Sequence, residues 1–279
     1  MIAKTDTTWS RLVNLHLRFR ASDFRCFCYG CFPLMEKIRP LIAEFVGTFA
    51  LIFVGIGAIF HMGRLTNNAG LLTIALAHGL TIAVMVSATG HISGGHLNPA
   101  VTIGVFTAGR MRAGQVVPYI IAQLAGATVA GLFCLLLFGA MGHSAQFGKE
   151  VVQQGTPQLS QLVLNTGGAG GQTPITFSQG VIVEAILTFF LVFVVLGTAV
   201  DPRGPKIGGL AIGLTITLDI LFGGPLTGGA MNPARTFGPA LASGFWKDHL
   251  VYWIGPLLGG VVAGLVYGRA LFPPETVRE

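Results

Sequence analysis

Charge is what this sequence has least of. Only 10% of its 279 residues are Asp, Glu, Lys or Arg, against roughly 25% in soluble domains, and the few charges avoid long stretches of chain. A soluble domain with an ordinary polar surface is thereby excluded. Cysteine is scarce too: Cys26, Cys28 and Cys31 stand before the first apolar run and Cys134 lies inside one, a pattern that makes no disulfide framework. The Cys28-x-x-Cys31 pair has no second Cys/His pair at finger spacing, so these read as free thiols rather than a zinc site. Enzyme signatures are missing as well. No Gly-x-x-x-x-Gly-Lys loop cradles a nucleotide's phosphates, and no His-Glu-x-x-His spacing turns His91, His96 and the intramembrane glutamates into a metallohydrolase. No catalytic residue, metal or cofactor is expected, and transport, if any, is passive.

What the sequence has in excess is apolar length. Hydrophobic residues make up 52% of the chain and the mean hydropathy is +0.70. Uncharged apolar runs of about 20 residues match a bilayer's hydrocarbon core, and they fall at about 41–60, 70–89, 116–140, 177–200, 208–224 and 250–272. The fold class expected is therefore an all-α membrane protein of six transmembrane helices. The net charge of +6 and pI near 9.5 would suggest nucleic acid in a soluble protein. Here the positive residues sit at span ends and in the N-terminal segment, with no basic stripe and stacking aromatics, so the partner is membrane lipid and not nucleic acid.

Six spans put both termini on one side. Placing them in the cytoplasm puts 13 of the Lys and Arg residues inside and 4 (Arg64, Lys149, Arg235, Lys247) outside. Without residues 1–34 the balance is 8 to 4, which keeps the termini cytoplasmic in a multi-pass protein, expected in the cell membrane. Residues 1–34 are Arg-rich and lack a continuous apolar stretch, so they are neither a cleaved signal peptide nor a span. Met35 reads as the natural start. Residues 1–34 are then a disordered or non-native extension, and 35–279 the functional domain.

The chain repeats itself. Ile42–Gly57 aligned on Ile182–Gly197 agrees at eight of sixteen positions, including Glu44 with Glu184, Thr48 with Thr188 and Phe53 with Phe193. Tyr119–Gly131 lies similarly on Tyr252–Gly264. Two repeats, about 38–140 and 177–272, each hold three spans. Three is odd, so the second enters the membrane from the opposite face and the pair is inverted.

Each repeat carries one conspicuous box: Ser93-Gly94-Gly95-His96-Leu97-Asn98-Pro99-Ala100 in the first, Gly228-Gly229-Ala230-Met231-Asn232-Pro233-Ala234-Arg235 in the second. Asn is a favoured N-cap and Pro fits the first helical position, so Asn98-Pro99-Ala100 and Asn232-Pro233-Ala234 each start a helix. The apolar stretches behind them, 99–108 and 233–243, are too short to span and read as re-entrant half-helices entering from opposite faces. Irregular backbone at membrane depth survives only when buried in protein or lining a watery cavity. The Gly-rich loops before both boxes therefore suggest a pore, with two helix N-termini and the Asn98 and Asn232 amides offering donors to a neutral solute while repelling cations.

At these residues the chain resembles, from about residue 36 to 272, the aquaporin or major intrinsic protein family. The resemblance implies a right-handed six-helix bundle with two half-helices, one pore per subunit, a homotetramer, and small neutral solutes as cargo. It also implies that Glu44 and Glu184 accept hydrogen bonds from loop N–H groups and that His96 braces its loop. The family's selectivity filter has four positions, which fall here on His78, Ile220, Gly229 and Arg235. Glycerol facilitators usually carry Asp after the Arg; Thr236 stands here, and with Ala240 and Tyr252-Trp253 it is similar to the water channels. The set His, Ile, Gly, Arg is similar to that of some plant tonoplast intrinsic proteins and of the mammalian aquaporin eight branch, which implies water with ammonia and hydrogen peroxide rather than glycerol. Three further expectations concern single residues. Asp219 should point away from the pore into a hydrogen bond, because charge at membrane depth is costly. In some tonoplast relatives a loop histidine folds back on the filter arginine, and the resemblance offers His143, in the long loop before the fourth span, for that contact with Arg235. The pairs Gly209-x-x-x-Gly213 and Gly260-x-x-x-Gly264 should seat close helix contacts.

Overall fold

The computed structural model describes residues 21–64, 70–160 and 174–272, with side chains for 35–62, 70–160 and 174–272. The chain divides into two compact units, Met1–Arg39 and Pro40–Glu279. Of the first, residues 21–39 are helical. The expectation of a disordered or non-native extension falls partly on residues 1–20, outside the described residues.

Helix α1 runs over Ala21–Arg64 and contributes the apolar span Met35–Met62. Helix α2 is Gly70–Ser93, α3 Pro99–Thr107, α4 Ala113–Met141, α5 Ala145–Gln154, α6 Phe177–Val195, α7 Gly208–Thr227, α8 Pro233–Ser243 and α9 Val251–Val266. A π turn prolongs α6 through Leu196–Val200 and another prolongs α9 through Tyr267–Leu271. Among the described residues six helices are long and apolar enough to cross a membrane, as the sequence leads one to expect, and α3 and α8 are the two half-helices.

The half-helices start as their sequences dictate. Asn98 accepts from Ala100 N–H with Pro99 in the first turn, and Asn232 accepts from Ala234 and Arg235 N–H with Pro233 in the first turn. Two boundaries differ from the reading of the sequence. The fifth span continues past Pro225 to Thr227, because a proline near a helix end forfeits only its own N–H bond; Gly228, at φ +85°, ends the helix. The long loop before the fourth span contains α5, capped by Ser144 and burying Gly148, Val151 and Val152. A helix of ten residues with one apolar face carries too weak a signal beside spans twice its length.

Packing exchanges the halves. Helix α2 packs on α7 and α6 on α9, while α3 rests mainly on α9 and α8 on α4, so each half-helix lies against the third span of the other repeat. Small residues let these backbones meet. A methyl group on Gly213 would run into the Gly79 carbonyl, and one on Gly264 into the Gly104 carbonyl, which bears out both expected glycine pairs as contact surfaces. Large apolar side chains such as Val84, Leu136, Leu218 and Phe222 point outward, each more than 60% exposed, as a lipid-facing surface requires.

The connection from α6 to α7 is clasped to the end of α9. Asp201 accepts from Arg203 Nε (3.0 Å) and Nη2 (2.6 Å), from Arg203 N–H (3.0 Å) and from the Tyr267 hydroxyl (3.3 Å), and Arg203 Nη2 also donates to the Leu271 carbonyl at 2.7 Å. The guanidinium hydrogen-bonded to it holds the Asp201 carboxyl well below the ordinary carboxylate range. A lowered acid contributes stability above its unfolded value and loses it only as pH falls through the folded one, so the clasp stays closed throughout the neutral range. Asp201→Ala should open this connection: trypsin in detergent should cut after Arg203 or Lys206 faster than in the unaltered protein, and equal cutting rates would contradict the clasp.

Candidate functional site

The loops that lead into α3 and α8 have the same backbone. Gly94, Gly95 and Leu97 have positive φ (+89°, +62°, +52°), and so do their counterparts Gly228, Gly229 and Met231 (+85°, +54°, +52°). For leucine and methionine this conformation costs roughly 1–2 kcal/mol, and its N–H groups point away from any helical partner. Two buried carboxylates meet them. Glu44 accepts from Leu97 N–H (2.6 Å), His96 N–H (2.9 Å), the Ser93 hydroxyl (2.6 Å) and Gln123 Nε2 (2.7 Å). Glu184 accepts from Met231 N–H (2.7 Å), Ala230 N–H (2.9 Å) and the Thr227 hydroxyl (2.6 Å). Tyr119 and Tyr252 close the same pattern by donating to the Ser93 and Thr227 carbonyls at 3.0 and 2.7 Å.

The two boxes are bonded to each other. Asn98 Nδ2 donates to the Met231 carbonyl at 2.9 Å and Asn232 Nδ2 to the Leu97 carbonyl at 3.0 Å. Asn98 Oδ1 accepts from Ala100 N–H, and Asn232 Oδ1 from Ala234 and Arg235 N–H, so both oxygens are turned to their own helix N-termini and each asparagine has one amide N–H left over. Both asparagines line a narrow cavity of about 30 Å³ whose remaining wall is chiefly Ile, Val and Leu, with His78, Ile220, Gly229 and Arg235 also on it. The structure thus brings all four carried-over positions and both asparagines onto one cavity. His96 shares its wall. Its Nδ1 lies 3.1 Å from the Thr102 hydroxyl, whose proton goes to the Asn98 carbonyl at 3.0 Å. The His96 ring is therefore the donor to Thr102, a second tie on the loop.

Larger cavities flank this one. On the Arg235 side a cavity of about 540 Å³ also has Ile220 and Arg235 on its wall. On the other side one of about 440 Å³ also has Val86, His96 and Val195 on its wall.

His78 and Arg235 form a buried pair. Arg235 Nη2 lies 3.2 Å from His78 Nε2, and His78 Nδ1 lies 2.8 Å from the Ile74 carbonyl. A guanidinium only donates, so Nε2 must accept and Nδ1 must carry the proton: His78 is the neutral Nδ1–H tautomer. The accepting nitrogen of His78 is thus taken by Arg235. Arg235 also donates from Nη1 to the Gly155 carbonyl at 3.4 Å. His143, expected to fold back on Arg235, is exposed in the turn after α4, and the loop's contact comes from Gly155 because α5 carries the chain back over the cavity first.

Asp219 is buried and absent from the walls of the three cavities, as expected. Its Oδ2 has no partner among the described residues: Leu218 and Ile220 offer none, and the hydroxyl of Thr215, one turn away, is bonded to the Ala211 carbonyl. Cys134 is fully buried in the apolar core.

The sequence reading missed the donors around the glutamates: Ser93, Thr227 and Gln123. The first two stand at equal distances before the boxes and in equivalent Ser/Thr-Gly-Gly contexts, which is the signal that would have found them. Gln123 has no counterpart, since Pro256 takes its place in the second repeat. Glu184→Gln would turn one acceptor into a donor facing donors. Leaving buried N–H groups unmet costs about 1–3 kcal/mol, so a clear fall in melting temperature in detergent is expected. Tyr252→Phe, which removes a single bond, should cost about 1 kcal/mol or less. An unchanged melting temperature for Glu184→Gln would contradict the brace.

Comparison with known proteins agrees with this geometry. The family model described as major intrinsic protein matches residues 33–267. The chain is 44% identical over 238 residues to Aquaporin TIP4-4 of Zea mays, covering 82% of this chain and 85% of the relative. It is 41% identical over 243 residues to Aquaporin TIP2-1 of Arabidopsis thaliana, covering 84% and 88%. Among solved structures it is similar to the aquaglyceroporin from Plasmodium falciparum, with a TM-score of 0.68, 26% identity and coverage of 84% of this chain and 96% of the other. With six apolar spans, two half-helices meeting at paired asparagines and these relatives, the chain belongs to the major intrinsic protein family of aquaporin channels.

Proposed function

We propose that this chain is a passive water channel that also passes ammonia and hydrogen peroxide, excludes protons and ions, and acts as a homotetramer with one pore per subunit. The observation that carries the reading is the succession of three cavities sharing wall residues: Ile220 and Arg235 border the first two, and Val86, His96 and Val195 the second and third. Water fits such a path. At its middle Asn98 and Asn232 each present one amide N–H that no protein group takes, so a passing water turns its oxygen to them and its hydrogens away, which interrupts a proton wire. The half-helix N-termini add positive potential at the same place.

The constriction is assigned to His78, Ile220, Gly229 and Arg235. Gly229, at φ +54°, brings no side chain and Ile220 an apolar one. Because His78 holds Arg235 by its accepting nitrogen, that nitrogen is not offered to solutes. A constriction with no side chain at Gly229 and an apolar one at Ile220 is wider and less hydrophilic than one closed by polar rings, which supports ammonia and hydrogen peroxide beside water. Residues 35–279 form the channel in this reading, with repeats at about 38–140 and 177–272, Glu44, Glu184 and His96 as loop braces, and residues 1–34 outside it.

The protein is an integral multi-pass membrane protein. Placement in the cell membrane gains no support from relatives of the TIP, or tonoplast intrinsic, type; cytoplasmic termini continue to rest on the charge balance.

Purified protein in liposomes should be tested against water, ammonia, hydrogen peroxide and glycerol. Water flux by light scattering, ammonia entry by internal pH and peroxide entry by an internal dye should all exceed empty vesicles, with glycerol lowest. Water flux without any ammonia or peroxide signal would overturn the wider range, glycerol flux equal to water would favour a facilitator, and no flux of any solute would indicate a non-conducting assembly protein.

A further inference from the structure

The constriction depends on a residue that contributes no atom to its wall. Gly55 of α1 lies behind His78. A methyl group built on Gly55 would sit 2.5 Å from His78 Nε2, 3.1 Å from Cε1 and 3.2 Å from Cδ2. The closest atom is the one that accepts from Arg235. His78 has no freedom to yield without loss, because its two nitrogens are pinned, Nδ1 to the Ile74 carbonyl at 2.8 Å and Nε2 to Arg235 at 3.2 Å. Ring and guanidinium border a recess too small for a water molecule, whose other walls include Gly55, Ile56, Gly155 and Pro239. Gly155 supplies the carbonyl that receives Arg235 Nη1.

We infer that Gly55 is a specificity-determining position: the missing Cβ makes the notch into which His78 leans, and the leaning His78 draws Arg235 off the pore axis. Resting on the constriction proposed above, this adds that its width is set from the first helix, outside the four residues that line it. Alanine at 55 must push the imidazole away by about 1 Å to restore a van der Waals separation near 3.5 Å. Away from α1 is towards the cavity that His78 borders. The ring then blocks part of the lumen and gives up the Arg235 bond, and the released guanidinium adds its donors to the same passage. Both changes penalise hydrogen peroxide, the longer molecule, more than water.

Position 57 provides the control, since a methyl group there meets nothing within 4 Å. In proteoliposomes of equal protein content, the ratio of hydrogen peroxide to water permeability should fall roughly threefold or more in Gly55→Ala, about half of a tenfold barrier step. It should stay unchanged in Gly57→Ala. In a His78→Ala background Gly55→Ala should have no further effect, because the clashing ring is gone. A wild-type ratio in Gly55→Ala, with His78→Ala altered, overturns the role of Gly55 and leaves the constriction standing. An unaltered ratio in His78→Ala overturns the constriction itself. An equal fall in both backgrounds places the effect in helix packing and overturns the inference. Should Gly55→Ala alone fail to assemble, assembly of the double variant supports a clash with His78, and failure of both refutes it.

Discussion

The fold rests on one requirement: backbone N–H groups outside helices, at membrane depth, must find acceptors inside the protein. Two loops break the helical ladder in the middle of this molecule, and each contains a non-glycine residue, Leu97 or Met231, in the left-handed region. Neither loop is stable by its own conformation. Glu44 and Glu184, fully buried, meet the exposed N–H groups with carboxylate oxygens at 2.6–2.9 Å. A buried carboxylate is costly when unpaired, and an unmet N–H is costly too. Each cost is cancelled by the other, which fixes where α3 and α8 begin and brings Asn98 and Asn232 together.

The two halves solve this problem alike and then diverge. In the first repeat Gln123 Nε2 bridges Glu44 and the Thr102 hydroxyl, at 2.7 and 2.9 Å. In the second, Pro256 stands at the equivalent place, Glu184 has one donor fewer, and the Thr236 hydroxyl has no partner among the described residues. His96 ties the first loop to Thr102, whereas Ala230 has no polar side chain to make the same tie to Thr236. Symmetry therefore supplies the meeting point of the boxes, and departures from it supply the proposed constriction, with Gly229 and Arg235 of the second repeat on one cavity wall with His78 of the first.

Much of this was legible in the sequence because it is written in periodicity and spacing. Apolar runs gave the spans, an internal match of Glu44 on Glu184 gave the inverted halves, and Asn-Pro gave the helix starts. What was illegible depends on side-chain geometry in three dimensions. The left-handed Leu97 and Met231 carry no residue-type signal, since such φ values usually belong to glycine. The tautomer of His78 follows only from its distance to Arg235. Helix α5 was hidden by its neighbours' stronger apolar signal, and with it the replacement of His143 by the Gly155 carbonyl. Asp219 is turned from the pore as its sequence position implies, but that its Oδ2 finds no partner among the described residues cannot be counted along a sequence.

The central claim is that water crosses through a preformed path rather than through lipid, and the temperature dependence of osmotic water flux in proteoliposomes tests it most directly. A channel should raise the flux well above that of empty vesicles and give an activation energy close to that of water diffusing in bulk. A flux equal to that of empty vesicles, with the steeper temperature dependence of a bare bilayer, would contradict it.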